Sequence, residues 1–320
     1  GDCVQDARRM ERMSMLGMKP LHLMLLLAMN VFWAGTYTAF KVLSAHLSVG
    51  EIVTVRYGLA AAVAVLIWPL FRGAAPRGRD LAMSALMGVL VFAVGPRIQV
   101  FAVHLGKAGD SAVVVAMEPL ITAVAAALLL RERVPGRRWL GFAIGMLGVL
   151  ILNGAWRLEL NRATLAANLI FLISCICETA YSVIGKPLLR RCDPMKVVAV
   201  SLVLAAAVNM VWGWLDPAAA GGGSPWRKLL EMPFAVWLIL LYLALVCTLA
   251  GYTLWYVVIR ETDISLAAMT ILAQPVFGVP IAARCLGEPV HWGQVWGVAA
   301  IFAGLVCGLA AGPRRAPGPA

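Results

Sequence analysis

Three ionisable residues, Arg97, Glu118 and Glu178, lie well inside long apolar stretches, and Lys41, Arg56 and His104 lie nearer the ends of such stretches. A charge placed in hydrocarbon costs at least about 2.5–3.5 kcal/mol, so groups of this kind face a partner or a water-filled cavity. A carboxylate in that setting can take up a proton or hold an ammonium group, and a guanidinium can hold a carboxylate. If the stretch carrying Arg97 runs outward and the next runs inward, Arg97 and Glu118 both sit roughly 10–14 Å below one face at about 1.5 Å per residue. Equal depth makes an ion pair between them feasible. In the functional reading Glu118 is the coupling residue, exchanging a proton or a substrate ammonium for its hold on Arg97. In the structural reading the two charges only offset each other's burial.

Helical spacing adds neighbours to these charges. Asn30, Trp33, Tyr37 and Lys41 recur every three to four residues, and so do Ser174, Glu178, Tyr181 and Gly185. Thr248, Tyr252 and Trp255 make a third stripe, and Thr270, Gln274 and Phe277 a fourth. Purely aromatic stripes usually pack or sit at membrane interfaces, whereas mixed polar and aromatic stripes on four stretches point to a cavity lining. The expected substrate-binding set is Asn30, Trp33, Tyr37, Arg97, Glu118, Glu178, Tyr181, Tyr252, Trp255 and Gln274. Two glutamates suit cationic or zwitterionic cargo, Arg97 and Lys41 could hold a carboxylate, and the aromatic rings attract cations. Pro119 and Pro275 fall at matched places in their stretches. Each removes a backbone hydrogen bond and is expected to kink its helix.

The elements that position these residues follow from composition. The chain has 320 residues, 62% hydrophobic and 13% charged, with a mean hydropathy of +0.86. Soluble domains are about 45–50% apolar and about 25% charged, so a water-soluble globule is excluded, and disorder with it. At about 20 residues per spanning helix, the apolar rhythm predicts spans at roughly 21–43, 51–71, 80–104, 109–130, 137–153, 162–187, 194–215, 233–258, 263–284 and 291–311. The expected fold class is an all-α integral membrane protein with ten transmembrane helices. Lys and Arg divide 18 to 6 between the two sides when the N-terminus is cytoplasmic, which predicts both termini inside. The same clustering accounts for the net charge of +11 without a nucleic-acid partner.

Residues 1–20 read as a cytoplasmic leader without the apolar core of a signal peptide. Since the chain opens on Gly1, part of that leader reads as added sequence. Residues 312–320 read as a cytoplasmic tail. The seven cysteines show no zinc spacing or disulfide framework and read as packing residues. His22, His46 and His291 form no metal-spaced cluster, so no metal and no cofactor is expected. The Gly-rich run at 221–224 lacks the Gly-Lys-Ser/Thr ending of a phosphate-binding loop. No nucleophile–base pair appears either, so the chain reads as neither an ATP-driven pump nor an enzyme. Spans 5 and 10 carry glycines in place of interior charges: Gly141, Gly145 and Gly148, then Gly297, Gly304 and Gly308. They read as peripheral packing helices or the seat of a homodimer.

A displacement of 156 positions lays Gly95–Leu152 on Gly251–Gly308 without a gap, with about 11 of 58 positions identical. Pro119 falls on Pro275, Glu132 on Glu288, Gly141 on Gly297 and Gly148 on Gly304. A displacement of 145 lays Lys41 on Lys186. The chain therefore reads as two five-helix repeats, 21–153 and 162–311. Because five is odd, the second repeat enters the membrane inverted, which places a substrate site near the midplane between the halves. Glu132 and Glu288, at opposite faces, are expected to pair with basic residues or cap adjoining helices.

The stretch SAVVVAMEPLITAVAAALLLRERVPGRRWLGFAIGMLGVLIL (111–152) resembles the end of an EamA domain of the drug/metabolite transporter superfamily. FWAGTYTAFKVL (32–43) is similar to that family's first-span signature, Arg56 stands where the family often has an Arg, and 273–305 repeats the pattern. Glu178 departs from it, at a place where an aromatic residue is common. The resemblance implies a secondary active transporter, an exporter in a bacterial inner membrane, surrounded by lipid. Its cargo would be a small polar metabolite moved by alternating access, with amino acids or their derivatives favoured by the two glutamates and Arg97. The alternatives are a sugar-phosphate or nucleotide-sugar exchanger, which needs an anion site rich in Lys and Arg, and a lipid flippase, which needs an apolar groove open to the bilayer.

Overall fold

A computed structural model describes residues 18–105, 117–152, 162–215, 231–286 and 292–310. The expected leader, the tail, the first half of span 4, Glu288 and His291 fall outside the described residues. Within them every regular element is helical. The helices form ten successive rods: α1 (Pro20–Leu43), α2 (Val49–Leu70), α3 (79–105), α4 (Glu118–Leu129), α5 (Gly136–Leu152), α6 (Arg162–Leu188), α7 (Pro194–Leu215), α8 (Phe234–Glu261), α9 (264–286) and α10 (Trp292–Leu309). Eight are long and apolar enough to cross a membrane; α4 is a shorter apolar helix and α5 has 17 residues.

The starts of the rods are written locally. At α2 the Ser48 backbone N–H donates to Glu51 Oε2 at 2.7 Å while the Glu51 N–H donates to Ser48 Oγ at 3.3 Å, a reciprocal cap on the first turn. At α7 the Asp193 carboxylate accepts from the backbone N–H groups of Met195 and Lys196 at 2.9 and 3.3 Å. Burial, with Asp80 adding to it, pushes the neighbouring Cys192 thiol above its ordinary range, in keeping with a packing cysteine.

Several rods are irregular where they pass the centre. In α3 a π-helical turn spans Leu90–Val94 and ends at Gly95; in α8 a longer one spans Tyr242–Ala250 and ends at Gly251, 156 positions on. Such turns leave backbone carbonyls without helical partners, and inside a membrane those must be satisfied by protein. Asn209 Nδ2 on α7 donates to the Phe92 carbonyl at 2.8 Å, and Trp33 Nε1 on α1 donates to the Cys247 carbonyl at 2.7 Å. In α9 a 3₁₀ turn, Thr270–Ala273, immediately precedes Gln274 and Pro275. Pro119 stands at the edge of the described residues. It lies in the first turn of the described part of α4, and the kink expected at it falls on residues outside those described.

Eight rods close into a ring in the order α1, α9, α4, α6, α3, α7, α2, α8 and back to α1, each packed against the next. Exchanging α1 with α6, α2 with α7, α3 with α8 and α4 with α9 returns the same ring. α5 and α10 pair with each other outside it. Their glycines allow this, because a Cβ at Gly304 would come within 2.5 Å of the Gly145 backbone nitrogen, and one at Gly141 within 2.7 Å of Gly308. The glycine faces are thus consumed within one chain. The outward surface carries large apolar side chains, among them Leu66, Leu128, Trp214, Phe234 and Trp296, as a lipid-facing surface requires.

Candidate functional site

At the centre of the ring an aromatic cluster joins five helices. Tyr252 on α8 lies 4.7 Å from Phe92 on α3, 5.1 Å from Tyr181 on α6 and 5.6 Å from Trp33 on α1, ring centre to ring centre. Trp255 lies 6.2 Å from Trp33, Tyr57 on α2 lies 5.2 Å from Phe92, and Tyr181 stacks on Tyr256 at 4.3 Å with their planes 5° apart. Trp255 Nε1 donates to Ser182 Oγ at 2.9 Å, whereas the buried Tyr181 hydroxyl finds no partner among the described residues.

The two carboxylates border this cluster on adjacent helices, Glu118 at the first turn of α4 and Glu178 in the middle of α6. Both are half-buried. The Tyr252 hydroxyl donates to Glu178 Oε2 at 3.3 Å, and Glu178 feels the charges of both Glu118 and Arg56. Neither glutamate is in an ion pair among the described residues. Thr122, one helical turn after Glu118, and Thr179, next to Glu178, share a hydrogen bond of 2.9 Å between α4 and α6.

Asn30 and Gln274 are brought together at the α1–α9 seam, one contact further round the ring from the carboxylates. Asn30 Nδ2 donates to the Leu26 carbonyl at 2.7 Å and to Thr270 Oγ1 at 3.0 Å, and Gln274 Nε2 donates to Asn30 Oδ1 at 3.0 Å. These bonds tie α1 to α9. Tyr37 is on α1, but its side chain lies outside the described residues, as does that of His104 on α3. Lys41, at the end of α1, is exposed.

Arg97 is placed elsewhere than equal depth suggested. Its Nη1 donates to Asn209 Oδ1 on α7 and to the Ala93 carbonyl at 3.3 Å, and its Cζ lies 4.6 Å above the Trp212 ring. No ion pair with Glu118 forms among the described residues, because α6 stands between α3 and α4 in the ring. Glu132 pairs with Lys186 at 2.8 Å and accepts from the backbone N–H groups of Ile264 and Ser265 at 3.0 and 3.2 Å. It thereby holds α4, α6 and the α8–α9 turn together. Arg138 on α5 joins the same turn by donating to Ser265 Oγ at 2.7 Å. No group of three His, Cys, Asp or Glu side chains among the described residues could hold a metal ion.

Several central residues carried little signal in the sequence. Phe92 is one apolar residue among many. Asn209 is a lone amide inside an apolar span but was not singled out, and Arg56 was legible as an intramembrane charge while its partners were not.

Spanning helices closed around an interior of aromatic rings, amides and carboxylates define a multi-pass membrane protein with a polar centre. A family model described as the EamA-like transporter family matches residues 20–154 and again 165–309, and the chain belongs to that family. It is 24% identical over 286 residues to an uncharacterized transporter of Archaeoglobus fulgidus, covering 88% of this chain and 96% of that one. It is 29% identical over 267 residues to YedA of Escherichia coli (strain K12), named an uncharacterized inner membrane transporter, covering 82% of each. A third relative, from Salmonella typhimurium, is named a probable amino-acid metabolite efflux pump; identity is 26% over 199 residues, 62% of this chain and 66% of the relative. A solved crystal structure superposes with a TM-score of 0.74 at 16% identity, covering 92% of this chain and 99% of that one, and so shares its fold.

Proposed function

We propose that this protein is a secondary active exporter of a small polar metabolite, an amino acid or a derivative of one, working by alternating access in a bacterial inner membrane. The observation that carries the reading is the pair Glu118 and Glu178, two carboxylates within electrostatic reach of each other, with no cation bonded to either, beside the tyrosine of an aromatic cluster. Two such groups repel when both are ionised, and an ammonium or a proton relieves that repulsion. The name of the Salmonella relative agrees with this class of cargo.

The topology we propose is ten spans in two inverted repeats of five, with both termini cytoplasmic. The family matches at 20–154 and 165–309 support the division. The ring order that survives the exchange of α1–α4 with α6–α9 supports inversion. Substrate contacts are assigned to Trp33, Glu118, Glu178, Tyr181, Tyr252 and Trp255, with Asn30 and Gln274 holding the neighbouring α1–α9 wall and Tyr37 and Arg97 on the approach. Pro275, beside its 3₁₀ turn, is the proposed bending point. A homodimer through α5 and α10 would have to use their outer faces, which carry Leu147, Trp296 and Phe302.

The test is amino-acid efflux from proteoliposomes across a range of internal and external pH. Wild type is expected to respond to an imposed pH gradient, and Glu118→Gln to fold but lose that response. An unchanged pH response in Glu118→Gln would remove coupling from this residue. Silence toward amino acids, with lipid probes flipped instead, would replace the reading by that of a flippase.

A further inference from the structure

Arg56 on α2 is buried, yet it forms no ion pair among the described residues. Its faces are covered: the guanidinium carbon lies 5.5 Å from the Phe40 ring centre and 5.1 Å from that of Tyr57. Its Nε donates to Thr248 Oγ1 at 2.8 Å, and Thr248 in turn donates to the Leu243 carbonyl at 2.8 Å within the π-helical turn of α8. The remaining edge, with the two Nη groups, makes no hydrogen bond to the described residues. Nor is it sealed off, since the fully buried side-chain atoms lacking a partner are only Thr36 Oγ1, Arg138 Nε and Tyr181 Oη among the described residues. A planar guanidinium fixed by two rings and one hydroxyl, with its two-donor edge open, is shaped for a carboxylate.

The second half of the chain shows that the fold does not require a charge here. The residue 145 positions on is Ser201, in the matching helix pair α3–α7. There a serine suffices: Ser201 Oγ donates to the Ser84 carbonyl at 2.8 Å and Gly88 closes against the Ser201 backbone. A buried guanidinium at the equivalent place is costly, and a protein that needed only helix packing could do without it. Arg56 borders the same aromatic cluster as the carboxylates: the Tyr57 ring on its face lies 5.2 Å from Phe92, which lies 4.7 Å from Tyr252, the donor to Glu178.

We infer that Arg56 binds the carboxylate of the substrate while Glu118 and Glu178 hold its ammonium group, so that the cargo is a zwitterion, an α-amino acid, and not a simple amine. This rests on the transporter reading above and narrows it. Lys41 and Arg97 are relieved of the carboxylate role, Arg97 being engaged by Asn209 and Trp212.

The test compares matched pairs of probes: phenylalanine with phenylethylamine, and leucine with isoamylamine. Binding to the purified full chain is read by thermal shift and titration. Wild type is expected to bind each amino acid about tenfold or more tightly than its amine, the worth of a hydrogen-bonded charge pair. Arg56→Gln is expected to lose that preference by weakening the amino acids alone, and Arg56→Lys to keep part of it. Equal wild-type binding of acid and amine overturns the role of Arg56 while leaving the transporter reading intact, and needs no variant. Equal weakening of both probes in Arg56→Gln does the same, because Arg56 would then act by joining α2 to α8. If wild type binds neither probe of either pair, the amino-acid reading itself falls and this inference falls with it.

Discussion

The α1–α9 and α4–α6 contacts occupy equivalent places in the two halves, and they have been filled in opposite ways. The displacement of 156 carries Glu118 onto Gln274, and that of 145 carries Trp33 onto Glu178 and Asn30 onto Cys175. On the α1–α9 side the polar groups satisfy one another: Gln274 donates to Asn30, Asn30 to Thr270 and Leu26, and Thr270 to the Ala267 carbonyl at 2.7 Å. On the α4–α6 side a threonine pair makes the neutral link, and the two carboxylates are left with capacity to spare. A neutral, saturated network holds helices together at little risk, since each buried group has its partner. An unsaturated acidic pair is a liability to folding and an asset to binding. On the proposed reading, the duplicated scaffold assigns fastening to one seam and chemistry to the other.

The largest effect is expected from erasing the difference. Glu118→Gln combined with Glu178→Gln makes the α4–α6 seam neutral like its mate. Efflux should fall by roughly a hundredfold, the scale of losing charge-assisted contacts to substrate. The melting temperature in detergent should rise, since two carboxylates repel each other when ionised and two amides do not. A double variant that transports normally, or one that melts lower, would remove the division of labour between the seams.

The reverse experiment breaks the fastening side. Asn30→Leu leaves the buried Thr270 hydroxyl and the Gln274 amide short of a partner, at a cost of about 1–3 kcal/mol. The melting temperature should drop, and the flux per folded molecule should change far less than in the glutamate pair. Comparing flux with the amount of monodisperse protein separates the two effects.

The apolar rhythm made the helices legible, and among the described residues their ends fell within a few residues of those expected, the start of span 4 lying outside them, because exclusion from hydrocarbon acts residue by residue. Glu118 and Glu178 were legible for the same reason: an acid inside an apolar stretch stands out. Periodicity, however, gives the face of a helix and not its neighbour. Arg97 and Glu118 were matched in depth, yet α6 intervenes, and Arg97 turns to Asn209 and Trp212. The π-helical turns in α3 and α8 left no compositional mark beyond Gly95 and Gly251, so the carbonyls they free, and the hydrogen bonds that Asn209 and Trp33 donate to them, were not foreseen. Arg56 was visible as a charge, but its open edge follows from the rings of Phe40 and Tyr57, which only packing supplies.

The smallest effect is expected where the two seams resemble each other, at the neutral link between Thr122 and Thr179. Thr122→Val alone leaves the Thr179 hydroxyl buried without its partner and should cost about 1 kcal/mol or slightly more. Thr179→Val should cost a similar amount. The double variant removes both hydroxyls at nearly constant volume, so its stability should return close to wild type, and the sum of the single losses should overshoot it. Flux should stay near normal throughout, since this link fastens α4 to α6 without touching cargo. If the single variants instead abolish efflux while the double restores melting but not transport, the threonine pair belongs to the acidic site. The line between fastening and chemistry would then run through the α4–α6 seam and not between the two seams.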